Sequence, residues 1–207
     1  MVKWFMVRHG ETDWNIEGRA QGQTDTPLNE KGRTQAQHVA SRLAGIDFAA
    51  VYSSDLTRVM ETARPIVSNR DLEIKTMPQL REKSYGKWEG MSFQEVEEQY
   101  PELFKRLFQE DINFAPPEGE SDSDVYSRTG LAAETLKSAH EGDCNVLIVA
   151  HGGSLRALMA NILDMPADYM WRFKLANGGL SMVSLYNCGG ATLDLLNDTN
   201  HLGESLV

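Results

Sequence analysis

Cysteine is scarce in this sequence. Only Cys144 and Cys188 occur, far apart and outside any Cys-x-x-Cys pair, which excludes a disulfide framework and a thiolate metal cluster. No apolar run reaches membrane-spanning length, and the N-terminal one is broken at Lys3, too soon for a signal-peptide core. A cytoplasmic protein with no membrane partner is therefore expected. Basic residues are also in deficit, with 20 Lys and Arg against 30 Asp and Glu and a net charge of −10. Phosphate backbones are gripped by clustered Lys and Arg, so a nucleic-acid partner is excluded. Internal repeats, low-complexity tracts and linkers are absent as well.

What is present suits one well-cored domain over residues 1–207, with 41% hydrophobic and 24% charged residues. The run VKWFMV (2–7) predicts a buried strand, and the polar, Gly-bearing stretch 10–29 a long loop of the kind that carries function. Helical spacing follows from Asn29 to Ala44, then a strand from Phe48 to Tyr52. The next helix, capped by Ser54 or Asp55, runs to about Asn69 despite Pro65. Further on, a strand is predicted over 72–80, a helix over 92–109 broken at Pro101, and a surface loop over 113–121 that could act as a lid. A helix from Ser123 to His140 leads into CNVLIVA (144–150), the clearest buried strand, and a helix is read from Leu155 to Leu163. Two closing strands, LSMVSLYN and ATLDLLN, complete the pattern. Strands alternating with helices predict an α/β fold with helices on both faces of a mostly parallel sheet.

Two of these strands, 2–7 and 144–150, stop at His-Gly. Ligands in open α/β sheets bind beyond the carboxyl ends of the strands. Should the two strands be neighbours, His9 and His151 meet there, and the glycine after each, Gly10 and Gly152, lets the backbone approach a ligand. Arg8 and Arg58 add charge-assisted grips for an anion, Arg58 from the first turn of a helix. Against these stand plainer readings. His38, His140 and His201 belong on a helix surface or the tail, and Arg19 and Arg81 in salt bridges or at a rim. Glu11, Glu89 and Asp55 read as caps or solvated carboxylates. Trp14, Trp88 and Trp171 read as core or rim, and ANGGLS (176–181) as a tight turn into a strand.

The stretches VRHGETDWN, GRAQGQTDTPLNEKGRTQA, VYSSDLTRVMETA, LREKSYGKWEG and VAHGG, in this order, resemble the histidine phosphatase superfamily, the phosphoglycerate mutase-like family. The resemblance covers nearly the whole chain and implies a three-layer α/β/α fold, with an inserted cap-like region at about 82–122 and a loose tail at about 201–207. It further implies a phosphomonoesterase for small phosphorylated metabolites. His9 would be the nucleophile, Glu82 the acid and base, Arg8, Arg58 and His151 the stabilisers of phosphoryl charge, and Asn15, Gln21 and Gly152 further substrate contacts. Neither metal nor cofactor is then needed. Alternatives are a cofactor-dependent phosphoglycerate mutase, a metallohydrolase using His9 and His151, and a non-catalytic phosphate-binding module. Leu193 and Leu195 fit either a homodimer edge or core packing.

Overall fold

The computed structural model describes residues 1–107, 111–204 and 206. Its strands are β1 (Val2–Arg8), β2 (Ala50–Ser53), β3 (Ile74–Thr76), β4 (Cys144–Ala150), β5 (Leu180–Leu185) and β6 (Ala191–Asp198). Among the described residues they form one sheet in the order β3-β2-β4-β1-β5-β6. The four strands from β3 to β1 run parallel, and β5 and β6 are antiparallel additions at one edge. Helices are α1 (Asp13–Ile16), α2 (Glu30–Arg42), α3 (Thr57–Val67), α4 (Phe93–Gln99), α5 (Pro101–Leu107), α6 (Asp122–Ala139) and α7 (Gly152–Ile162).

The layers follow from the two-residue period of the strands. Along β4, Val146, Ile148 and Ala150 join the cluster built by α6 and α7, whereas Leu147 and Val149 join the one built by α2 and α3. Strands buried on both faces must read as continuous apolar runs, as β1 and β4 do. Every residue from Val146 to Ala150 is fully buried, each large aliphatic contributing about 1.5–3 kcal/mol. The result is the expected α/β/α sandwich. A smaller apolar cluster around Trp88, Val96 and Phe114 gathers the segment between β3 and α6.

Leu193 and Leu195, two residues apart, would ordinarily share one face. A register shift between Met182 and Val183 instead sends Leu195 to the α2/α3 cluster and Leu193 to the α6/α7 cluster. Core packing thus uses both leucines.

Several boundaries differ from the sequence reading. The strand predicted over 72–80 covers only Ile74–Thr76, because Pro78 starts a short 3-10 turn. The helix read from 92 to 109 is two helices, with Pro101 opening the second, and its predicted end lies outside the described residues. Neither Ser54 nor Asp55 caps α3, whose N-cap is Leu56 without a side-chain bond. Both are engaged elsewhere: Ser54 meets His151, and Asp55 pairs with Arg81. Most consequentially, α7 starts at Gly152 rather than Leu155, so strand passes into helix directly after His151. A glycine pair is poor helix material in sequence. Here it forms the first turn, with the side chains of Arg156, Arg8 and Glu82 close to where each Cβ would lie. No helix among the described residues is long and apolar enough to cross a membrane.

Candidate active site

Strands β1 and β4 pair in parallel register with Arg8 opposite Ala150, and the ladder continues through His9 N–H to the Ala150 carbonyl at 3.0 Å. His9 and His151 are therefore brought side by side at the carboxyl edge. Their rings pack edge to face with centroids 5.2 Å apart.

Nδ1 of His9 lies 2.7 Å from the Gly10 carbonyl. A carbonyl only accepts, so Nδ1 carries the proton and Nε2 keeps its lone pair. Burial, then the charges of Arg58 and Arg8, push the His9 pKa well below 6.5. His151 is lowered in the same way, by burial first, then Arg58, His9 and Arg8. Its Nε2 shares a 2.9 Å hydrogen bond with the Ser54 hydroxyl. Both imidazoles are thus neutral at physiological pH.

A cavity of about 170 Å³ opens at His9. Arg8, Asn15, Gln21, Arg58, Glu82 and Gly152 line it, and so do Arg19, Tyr85, Gly153, Arg156 and Trp171. His151 is completely buried beside His9 and is not itself part of the lining. A larger surface hollow of about 410 Å³ lies at the other end of the sheet, near Val2, His140 and Tyr186, away from this cluster.

The arginines are held by carbonyls rather than carboxylates. Arg8 donates from Nη1 to the Leu175 carbonyl at 2.7 Å, and Arg58 donates to those of Gly22 and Thr24. Carbonyl contacts fix a guanidinium without neutralising it. Burial lowers the Arg8 pKa to about 10, and the group stays protonated at neutral pH. Buried polar atoms nearly always have partners. Yet, among the described residues, Nε of Arg8, Nε of Arg58 and Nδ1 of His151 have none. Two orphaned guanidinium N–H donors close to His9, next to the N-terminus of α7, make a ready anion site.

Glu82 enters from the loop after β3. One carboxylate oxygen accepts the Gly153 N–H at 3.1 Å and the other the Lys83 N–H at 2.9 Å. Asn15 caps α1 reciprocally with Thr12, and its amide oxygen also accepts from Asn177. Gln21 accepts from the Thr12 and Thr26 hydroxyls, which leaves its amide nitrogen as the free donor of a cavity-lining residue.

Other residues fall into place around this cluster. Arg19 pairs with Glu17 and Glu95, and Arg81 pairs with Asp55. Trp88 is core, and Trp171, 47% exposed, sits at the rim of the cavity, the two places the sequence reading allowed. Glu89 is neither cap nor solvated: it accepts from the N–H groups of Gln23, Thr24 and Tyr85, tying two loops together. At the end of the chain, Leu202 is buried and His201 bonds the Gly178 carbonyl.

Four supporting residues escaped the sequence reading. Arg128, in mid-α6, donates to the carbonyls of Gln79, Arg81 and Glu82 and pairs with Glu120. Asn177 donates to the His9 and Gly10 carbonyls. Thr62 accepts from Gly10 N–H and donates to the Arg58 carbonyl, joining the His9 loop to α3. Arg156 reaches the cavity from α7. Only Asn177, a polar residue before a Gly pair, left any local trace.

Comparison with known proteins shows the family. Residues 4–199 match the histidine phosphatase superfamily (branch 1). The chain is 35% identical over 207 residues to phosphoserine phosphatase 1 of Hydrogenobacter thermophilus, covering 100% of this chain and 97% of that one. It is 34% identical over 206 residues to the Escherichia coli protein named "Probable phosphoglycerate mutase GpmB", covering 98% and 95%. Among solved structures, the α-ribazole phosphatase of Shigella flexneri superposes with a TM-score of 0.86 at 31% identity, covering 95% of this chain and 96% of that one. The chain belongs to the histidine phosphatase superfamily, branch 1, and is a phosphatase.

Proposed function

We propose that the protein hydrolyses small phosphomonoesters through a phosphohistidine on His9. The observation that carries this is the His9 tautomer, with Nδ1–H held by the Gly10 carbonyl and Nε2 free among unpartnered donors. Nε2 attacks phosphorus, forming the P–N bond as the bond to the ester oxygen breaks. Glu82 delivers a proton to that leaving oxygen. In the second half, Glu82 takes a proton from water as the water displaces His9 and inorganic phosphate departs. Arg8, Arg58 and His151 hold the equatorial oxygens, where most of the catalysis in phosphoryl transfer arises. Asn15, Gln21 and the Gly152 N–H complete the grip, and the 82–122 segment, carrying Tyr85 and Phe93 to the cavity, covers it. The reading includes a cytoplasmic setting, supported by the free thiols of Cys144 and Cys188.

A mutase shares the phosphohistidine and differs in the acceptor; the similarity to a phosphoserine phosphatase and an α-ribazole phosphatase makes it the weaker reading here. Phosphate release from p-nitrophenyl phosphate in excess EDTA, wild type against His9→Ala, tests the proposal. Release that survives EDTA and is lost in the variant is expected. Release equal in both overturns the role of His9.

A further inference from the structure

We propose that Arg156 reads a carboxylate on the substrate's leaving group, so that the preferred substrates are short phosphorylated hydroxy or amino acids. This rests on the phosphatase reading and deepens it.

The cavity holds more positive charge than one phosphoryl group requires. Of its four arginines, Arg8 and Arg58 face the anion site beside His9, and Arg19 is neutralised by Glu17 and Glu95. Arg156 is left over. Among the described residues no carboxylate ion-pairs with it. Its nearest fixed contact is a neutral acceptor, the Phe173 carbonyl, which takes the Nε–H at 2.7 Å. Both terminal nitrogens of the fork remain to be used.

The side chain is held on purpose-built supports. The Trp171 ring lies against the guanidinium, 5.1 Å from centroid to Cζ. Trp171 is fixed in turn by its indole N–H, which donates to Asp122 at 2.6 Å. The other oxygen of Asp122 pairs with the buried Lys83 at 2.7 Å, next in sequence to Glu82. Asp122 is therefore already committed, and the chain from Lys83 to Arg156 fixes a cation relative to the catalytic loop. Glu82 lines the same cavity and favours the Arg156 charge through space, but among the described residues it forms no ion pair with it.

Position defines what Arg156 can bind. A Cβ on Gly152 would come within 3.0 Å of its Nη1 and 3.4 Å of Arg8 Nε, so the two guanidiniums border the same point. Burial first, and then the Arg156 charge, lower the Arg8 pKa, while Glu82 acts in the opposite sense. A ligand with two anionic groups a few bonds apart relieves both guanidiniums. With Nε engaged, the remaining flat pair of donors matches a planar carboxylate.

The test uses substrate pairs that differ chiefly in the carboxylate: phosphoserine against phosphoethanolamine, and 3-phosphoglycerate against glycerol 3-phosphate. Wild type should favour the carboxylate member in kcat/KM by about tenfold or more. Arg156→Gln should erase most of that preference through KM, and Arg156→Lys should restore part of it. Each preference is a ratio within one preparation, so a lower folded fraction cancels. No preference in wild type, or one that survives in Arg156→Gln, overturns the assignment. So does an Arg156-dependent preference confined to fructose 1,6-bisphosphate over fructose 6-phosphate, which would make the second anion a phosphate. Should wild type hydrolyse neither these nor p-nitrophenyl phosphate, the phosphatase reading fails by itself and binding decides this one. Greater thermal protection by 3-phosphoglycerate than by glycerol 3-phosphate, lost in Arg156→Gln, then supports it, and equal protection overturns it.

Discussion

His9 and His151 stand edge to face, 5.2 Å between ring centroids, and neither has a carboxylate among its hydrogen-bond partners. Burial and two guanidiniums keep both neutral, so the proposed nucleophile, His9, is ready without a general base to deprotonate it. In the proposed mechanism the acid, Glu82, is thereby left for the leaving group and the water.

A pH dependence follows with a definite sign. Both folded pKa values lie below 6.5, so NMR titration of the two imidazoles should give midpoints under that value. The unfolded chain binds these protons first as pH falls. Stability is therefore full above 6.5 and is lost between 6.5 and the depressed folded values. His140 and His201 are lowered too, by burial first, and act in the same direction. A midpoint at or above 6.5 for His9 would falsify its account.

Gly153 can be separated from stability. A Cβ there would lie 2.4 Å from a Glu82 carboxylate oxygen, the movable end of a side chain. Gly153→Ala should keep the fold, since alanine favours a helical first turn, while displacing Glu82. Turnover should fall by about 10²-fold, as for a misplaced catalytic group. Unchanged kcat with a normal melting temperature would show that Glu82 tolerates the shift.

Arg128 holds Glu82 from behind, through the carbonyls of Gln79, Arg81 and Glu82 and the Glu120 carboxylate. Arg128→Ala leaves all of these short of a donor and should cost about 1–3 kcal/mol in urea unfolding. The loss in kcat should exceed the loss in KM. Lysine cannot span the same acceptors, so Arg128→Lys should rescue poorly.

The acid role of Glu82 is tested by leaving-group dependence. Glu82→Gln should slow alkyl phosphates by about 10²–10⁴-fold and p-nitrophenyl phosphate far less, since nitrophenolate needs no proton to depart. Equal losses on both substrates would remove the proton from the account.

How much of this was legible beforehand depends on the range of the signal. The His-Gly ends of β1 and β4 are read directly, because an apolar strand interrupted by Arg-His or by His alone is a local contradiction that only a site resolves. The α7 start was misread for a local reason, since two glycines are weak helix formers. The structure requires glycine at Gly153 because Glu82 occupies the space a Cβ would take. Arg128, Arg156 and Thr62 left no trace. An arginine on a helix or a threonine in its middle looks the same whether it faces water or a catalytic loop.

The chain by itself determined the alternation of strands and helices, the doubly buried β1 and β4, and the motifs that name the superfamily, because period, burial and motif order are properties of local sequence. Only the tertiary structure decided that β1 lies beside β4, and so His9 beside His151. It also decided which arginines are neutralised and which keep their charge for a ligand. Those are pairings between distant segments, and their energies exist only once the sheet has set the register.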